Sequence, residues 1–332
     1  IGVKVITGDN VHVARHLCQI VGLSTDNVLS GRDLDNLRDE ALWQRAERTN
    51  VFAEVDPNQK ERIILALKKM NHVVGYMGDG INDAPALHAA DVSISVEGAV
   101  DVAKEAADLV LLRPDLSVLA RGIRLGRVTF ANTLKYILMT ESANLGNMLS
   151  MAAASLFLPF FPLLASQILL NNFLSDLPAF AMAADRVDDE WLQRPRRWDM
   201  GMIRRFMLQF GVLSSLFDFL TFGVLLYVLR ATPVMFRTGW FVESLLTELS
   251  VAFVVRTRLP FLRSRPSPGL LWTSVAVAVL TIVVPYLPWA HALGMQPMPA
   301  KLVAALLSIV VAYVTAAELL KRRFMAQPQN RQ

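Results

Sequence analysis

The sequence predicts an incomplete doubly wound α/β domain over residues 1–125, followed by an all-α bundle of six membrane-spanning helices over residues 126–332. Three observations predict it. Residues 1–130 hold 33 of the 62 charged side chains, whereas residues 142–175 and 266–300 hold none. In the first part, short apolar runs alternate with amphipathic stretches, the rhythm of parallel strands joined by helical crossovers. In the second part, six apolar runs reach about 17 to 25 residues, enough to cross a bilayer as helices.

Taken in order, residues 3–6, 51–53, 73–77, 92–96 and 109–112 read as strands. Residues 58–70, with Ile63, Ile64, Leu67 and Met70 spaced among charges, read as an amphipathic helix. In such a sheet the reactive groups belong at the carboxyl ends of the strands. Residues 113–133, with Arg121, Arg124 and Arg127, read as a helical stalk. The spans then fall at 134–158, 162–183, 206–229, 239–255, 270–290 and 302–320. Fourteen Lys and Arg lie in the 185–205 and 256–265 connections and the tail from Lys321, against three in the opposite connections. That bias places the α/β part and the C terminus in the cytoplasm. Ile1 sits inside a strand-like run, so the chain is expected to be the C-terminal portion of something longer.

The net charge of +4 comes from the membrane part, since residues 1–130 have 15 basic and 18 acidic groups. A nucleic-acid partner is therefore excluded, because it would need a basic surface on the water-soluble part. Cys18 is the single cysteine, which excludes an intrachain disulfide and reads as a small buried thiol. His12 and His16 share a helical face but lack a third ligand for zinc.

The densest motif is Gly78-Asp79-Gly80-Ile81-Asn82-Asp83-Ala84-Pro85-Ala86-Leu87, directly after the strand at 73–77. Two acids and an amide at a strand's carboxyl end make an oxygen-only site that suits Mg2+, and hence a phosphoryl group. A plainer reading is a capped turn, with Asn82 or Asp83 starting the next helix.

The ten-residue string resembles the hinge signature of P-type cation-transporting ATPases, whose phosphorylation domain has the haloacid-dehalogenase-like (Rossmannoid) fold. Thr7-Gly8-Asp9-Asn10 and Asp56-Pro57-Asn58-Gln59-Lys60 resemble two further elements of that domain. The resemblance implies that Asp79 ligates the catalytic Mg2+ and that Asp83 supports its coordination. It implies that Lys60 and Asn82 contact an aspartyl-phosphate formed from ATP, and that Thr7, Gly8 and Asp9 line the phosphate pocket. Phosphoryl transfer needs charge neutralisation more than acid–base chemistry, which suits these residues. The family's Asp-Lys-Thr-Gly-Thr motif is absent from this sequence, as are the nucleotide-binding insertion, the actuator domain and the earlier spans. The chain alone is therefore expected to be inactive, with the missing N-terminal part of the same pump as its partner. A non-catalytic remnant of a split pump stays open beside this reading.

In the membrane part, Asn144 and Asn147 share one face of the first span, and Asn172, Ser175 and Asp176 share one face of the second. Such groups are costly in lipid unless they meet one another or a cation. Pro178 is expected to open the second helix and free carbonyls. Interhelical hydrogen bonding alone would also explain the pattern. The positions are similar to the family's cation-binding residues, and Glu248 resembles an acid that some members contribute from a later span. Asn147 stands where calcium pumps of the family have an acid, so Ca2+ is the alternative cargo and Mg2+ the better match. The strings at 141–148, 169–178, 194–200 and 210–218 resemble the magnesium-importing subgroup of bacteria. This resemblance implies a multi-pass protein of the bacterial inner membrane that moves Mg2+ into the cytoplasm. Arg194, Arg196 and Arg197 read as a cluster against anionic lipid headgroups. Asp218 reads either as a bond to a neighbouring helix or as part of an ion path.

Overall fold

The computed structural model describes residues 1–113, 115–193 and 196–326, so Arg194 lies outside the described residues. The chain divides into two compact units, Ile1–Gly122 and Ile123–Gln332.

The first unit runs β1 (Val5–Ile6), α1 (Val11–Ile20), β2 (Val28–Ser30), α2 (Gly31–Asp35), α3 (Asp39–Arg48) and β3 (Val51–Ala53). It continues with α4 (Pro57–Lys69), β4 (Gly75–Met77), a 3-10 turn (Ile81–Asp83), α5 (Ala84–Ala89), β5 (Val92–Val96), α6 (Asp101–Glu105) and β6 (Leu109–Leu111). Helix α4 starts where the sequence places it because Asp56 and Gln59 cap each other reciprocally and Pro57 occupies the first turn. Its buried stripe of Ile63, Ile64, Ala66 and Leu67 packs with Phe52, Leu34, Leu42 and Leu87.

All strand pairs are parallel, as the alternation predicts. The strands form two three-stranded sheets, however, in the orders β1-β3-β2 and β4-β5-β6, where one sheet is expected. β1 and β4 are each paired on one side only, so both end as edges. The resemblance puts a further central strand in this fold, carrying the Asp-Lys-Thr-Gly-Thr motif that the sequence lacks. β2 is an unpredicted strand of three residues with one buried side chain, Leu29, too short to show a period.

α7 (Leu116–Phe157), most of which belongs to the second unit, is one helix of 42 residues that merges the expected stalk with the first span. It is followed by α8 (Ala165–Met182), α9 (Asp189–Leu192), α10 (Met200–Gly223), α11 (Pro233–Val255), α12 (Pro268–Val283) and α13 (Ala300–Ala326). A π-helical turn, Val224–Val228, extends α10. Six long helices thus overlap the six apolar runs, with different ends. By length and composition, four of them, α10 to α13, are apolar enough to cross a membrane. α7 and α8 fall short because they carry the asparagines, serines and acids of the candidate ion site. α11 is buried almost all round, its polar Thr238, Glu243, Ser244 and Thr247 included. Phe236, Trp240, Phe241 and Leu245 of α11 pack with Phe222 and Leu225 before it and with Leu302 and Leu306 of α13.

One end of this unit is tied by buried charge. Asp185 Oδ2 accepts from Lys135 Nζ at 3.0 Å and Arg256 Nε at 2.9 Å, and Oδ1 accepts from the Ser267 N–H at 2.9 Å. Arg256 also donates to the Ser264 and Arg265 carbonyls, and Lys135 to that of Arg186. Arg256 therefore belongs to the interior, although its place in a polar loop reads as a surface charge.

Candidate functional site

In the first unit the site is the turn after β4. The Gly78 N–H donates to Ile94 O at 3.1 Å, and Val100 N–H donates to Asp79 O at 3.1 Å, so neighbouring strand and loop fix the turn. Inside it, Asp83 is buried and fully engaged. Its Oδ1 accepts from Lys60 Nζ at 2.8 Å and Tyr76 Oη at 2.7 Å, and its Oδ2 accepts from the Asp79 and Gly80 N–H groups at 3.2 and 3.1 Å. Lys60 reaches it from α4, which the Asp56 cap orients. Asp79 and Asn82 are exposed, and the Asp79 carboxylate makes no hydrogen bond or ion pair among the described residues. The two acids of the motif therefore differ: the Asp83 carboxylate is buried and engaged by four donors, and the Asp79 carboxylate is exposed and unengaged among the described residues.

Gly78 makes this possible, because a Cβ there would stand 2.5 Å from the Asp83 Cβ. Gly78→Ala should destabilise the unit by about 1 to 3 kcal/mol through overpacking, read from the denaturant midpoint of the purified chain. An unchanged midpoint would show that the turn is not packed in this way.

Burial drives the Asp83 carboxyl upward, but Lys60, Tyr76 and the Gly80 N–H outweigh it and hold the group below its ordinary 3.8. Burial, then the bond to Asp83, pushes the Tyr76 phenol above its ordinary 10.0. The signs give two pH windows. The Asp83 contribution is complete above the unfolded value and is lost as pH falls through the lower folded value. The Tyr76 contribution is complete below its unfolded value and is lost as pH climbs toward the higher folded one. Stability of the first unit should therefore fall below about pH 4 and above about pH 10. A Tyr76→Phe chain should lose the alkaline slope in urea titrations across pH; persistence of that slope would remove Tyr76 as its cause.

After β1, Thr7 Oγ1 donates to Asp9 Oδ2 at 2.9 Å, and the Val55 and Glu54 N–H groups donate to the Thr7 and Asp9 carbonyls. The Thr7–Asp9 loop is thus held by the end of β3, where Glu54 takes a left-handed φ of 56°. Gly8 and Asp9 are exposed and Thr7 is half-buried. Among the described residues no hydrogen bond joins this loop to the Asp79 turn.

The second unit gathers part of the predicted ion site. Glu248 of α11 faces Ser175, Asp176 and Asn171 of α8. One turn earlier on α11, Ser244 Oγ donates to Asn147 Oδ1 of α7 at 3.1 Å. Ser175 Oγ is spent on the Asn172 carbonyl at 3.1 Å. Asn144, Asn172 and Asp176 are exposed, whereas Asn147, Ser175 and Glu248 are half-buried. Asn144 and Asn172 make no side-chain bond to the others among the described residues. α8 runs continuously through Pro178, which is buried and offers no N–H to the Leu174 carbonyl. Asn171 and Ser244 escaped the sequence reading. Asn171 is buried with an Oδ1 that receives no bond, and its position beside Asn172 was the available signal.

Arg196 is half-buried. It stacks on the Trp191 ring, 4.2 Å from the centroid, with Arg258 at 5.1 Å from the same ring.

Residues 160–323 match the family described as "Cation transporting ATPase, C-terminus", and residues 1–91 match "haloacid dehalogenase-like hydrolase". A "Magnesium-transporting ATPase, P-type 1" of Salmonella typhimurium strain 14028s is 46% identical over 97% of this chain, and one of Escherichia coli K12 is equally similar. A "Calcium-transporting ATPase" of Bacillus subtilis is 30% identical over 97% of the chain. The chain spans 36% of the length of the two magnesium-transporting relatives and 38% of the calcium-transporting one.

Proposed function

This chain belongs to the P-type cation-transporting ATPases, whose C-terminal region it matches, and we propose that it forms the ion-binding and Mg2+-coordinating part of a pump moving Mg2+ into the bacterial cytoplasm. The juxtaposition of Glu248 with Ser175 and Asp176, beside Asn147 held by Ser244, carries the reading. Two carboxylates with neutral oxygens offer fewer negative ligands than a dehydrated Ca2+ cage, and suit an ion that keeps part of its water shell. The 46% identity to magnesium-transporting relatives, against 30% to a calcium-transporting one, supports the same cargo. Asn144, Asn172 and Asp176 are open for ligands from the remainder of a longer pump.

In the first unit, the free carboxylate of Asp79 holds the catalytic Mg2+, which when bound neutralises charge on a phosphoryl group. Asp83 keeps Lys60 and the turn in place, and Lys60 and Asn82 face the aspartyl-phosphate. Thr7, Gly8 and Asp9 supply further contacts to its oxygens. The nucleophile and the nucleotide domain lie in sequence that this chain does not contain. All six long helices span the inner membrane, with the charge bias of their loops placing the α/β unit and the C terminus in the cytoplasm.

The test joins this chain in frame behind the remaining N-terminal part of the E. coli relative, in a strain without its own Mg2+ uptake. The fusion should restore growth at limiting Mg2+, and Asp176→Ala should abolish it at equal membrane abundance. Undiminished growth would remove Asp176 from the ion site, and uptake of Ca2+ but not of Mg2+ into vesicles holding the fusion would overturn the cargo.

A further inference from the structure

A second buried pair of carboxylates, which the proposed function does not use, lies further along α11 from Glu248, with the Tyr313 phenol near all three acids. Asp218 of α10 is 2% exposed and Glu243 of α11 is fully buried. Asp218 is fully provided with donors: Trp240 Nε1–H reaches its Oδ1 at 2.8 Å, and Ser150 Oγ–H of α7 reaches its Oδ2 at 2.6 Å. Glu243 faces Asp218 and Thr221. Neither of its carboxylate oxygens receives a hydrogen bond, and the Thr221 hydroxyl is also without a partner.

Two adjacent carboxylates in an apolar interior cannot both be bare anions, because each uncompensated charge there is costly and like charges add to the cost. Among the described residues no Lys, Arg or His forms an ion pair with either acid. The other titratable group facing both is the Tyr313 phenol of α13. On α13, Glu318 and Lys321 pair with each other, α12 has no charged residue, and Asp176 of α8 faces Glu248 instead. Compensation must come from a bound cation. Phe222, Leu225 and Trp240, on the same helical segments, belong to the apolar core, and the neutral oxygens near the pair are the Ser150, Thr221 and Tyr313 hydroxyls, of which Ser150 is already committed to Asp218. Mg2+ demands six oxygens and gives up water reluctantly, whereas a proton needs one donor and one acceptor.

We propose that Asp218 and Glu243 form a proton-binding site inside the helical unit, with the proton carried on a Glu243 carboxyl oxygen and donated to the Asp218 carboxylate. Asp218 is the acceptor because Trp240 and Ser150 already stabilise its ionised form, and Glu243 is the carrier because no other group satisfies it. The proton is taken from water and returned to it, so no bond other than O–H forms or breaks. The proposal stands on this pair alone and does not require that the chain transports Mg2+.

The test is infrared spectroscopy of the purified chain in lipid nanodiscs at neutral pH, without added divalent metal. A protonated-carboxyl C=O band that shifts in D2O should be present, and Glu243→Gln should remove it. Asp218→Asn should move it, since the acceptor changes, and should shift Trp240 emission. Trp240 emission in the Glu243→Gln chain also shows whether the helical packing persists. A band unchanged in both variants, no such band in the parent chain, or Mn2+ binding that Glu243→Gln abolishes would each overturn the proposal.

Discussion

Asp185→Ala lowers the stability of the helical unit by about 3 to 5 kcal/mol, the range for removing one partner of a buried ion pair. The size follows from what stays behind. Lys135 and Arg256, with side chains 2% and 1% exposed, share the single Oδ2 of Asp185, so the substitution leaves two buried cations without a counter-charge. The Ser267 N–H at the start of α12 loses its acceptor as well. Three segments distant in sequence therefore loosen together. Asp185→Asn should fall between parent and alanine, because an amide oxygen still accepts from Ser267 but carries no charge. Thermal unfolding in nanodiscs reads the series. A loss below about 1 kcal/mol for alanine, the scale of an exposed pair, would mean that the cluster is hydrated.

Asp83→Ala should cost the first unit about 3 kcal/mol, at the lower end of the buried-pair range because Lys60 and Asp83 keep side-chain exposures of 12% and 10%. Lys60, Tyr76 and two backbone N–H groups all lose their acceptor at once. Asp79→Ala, four residues away on an exposed side chain with no partner, should stay within about 0.5 kcal/mol. Urea denaturation separates the two, and equal losses would refute the division of labour between these acids. Asp83→Asn keeps the Tyr76 bond but presents an NH2 to Lys60 or to the backbone donors, so it should recover only part of the loss.

Much of this architecture is visible along the chain. The strands at 51–53 and 92–96 fall where the apolar runs end, and α4 starts at its Asp-Pro cap, because these signals are local. The helices stand at the six apolar runs for the same reason, since length and hydropathy are properties of contiguous sequence. What escapes is whatever depends on a distant partner. Asp185 lies in an Ala-Asp-Arg stretch without periodicity, and its role arises from residues 50, 71 and 82 positions away. The difference between Asp79 and Asp83 depends on Lys60 and Tyr76 reaching one carboxylate and not the other. Glu243 did carry a legible signal, an acid inside an apolar run, but only packing shows that Asp218 stands opposite. The split into two sheets was hidden because the residues of an edge strand read like those of a central one.

That split bears on how the chain can be handled. Each sheet leaves rows of backbone donors and acceptors open, and β6 adds exposed Leu109 and Val110 at another edge without a lysine or proline to blunt it. Such edges are templates for copies of the same chain. Production of these residues by themselves will be limited by strand-to-strand aggregation of the α/β unit more than by its greasy helices, and detergent will not cure it. Co-synthesis with the upstream remainder of a relative is the condition under which soluble yield should rise.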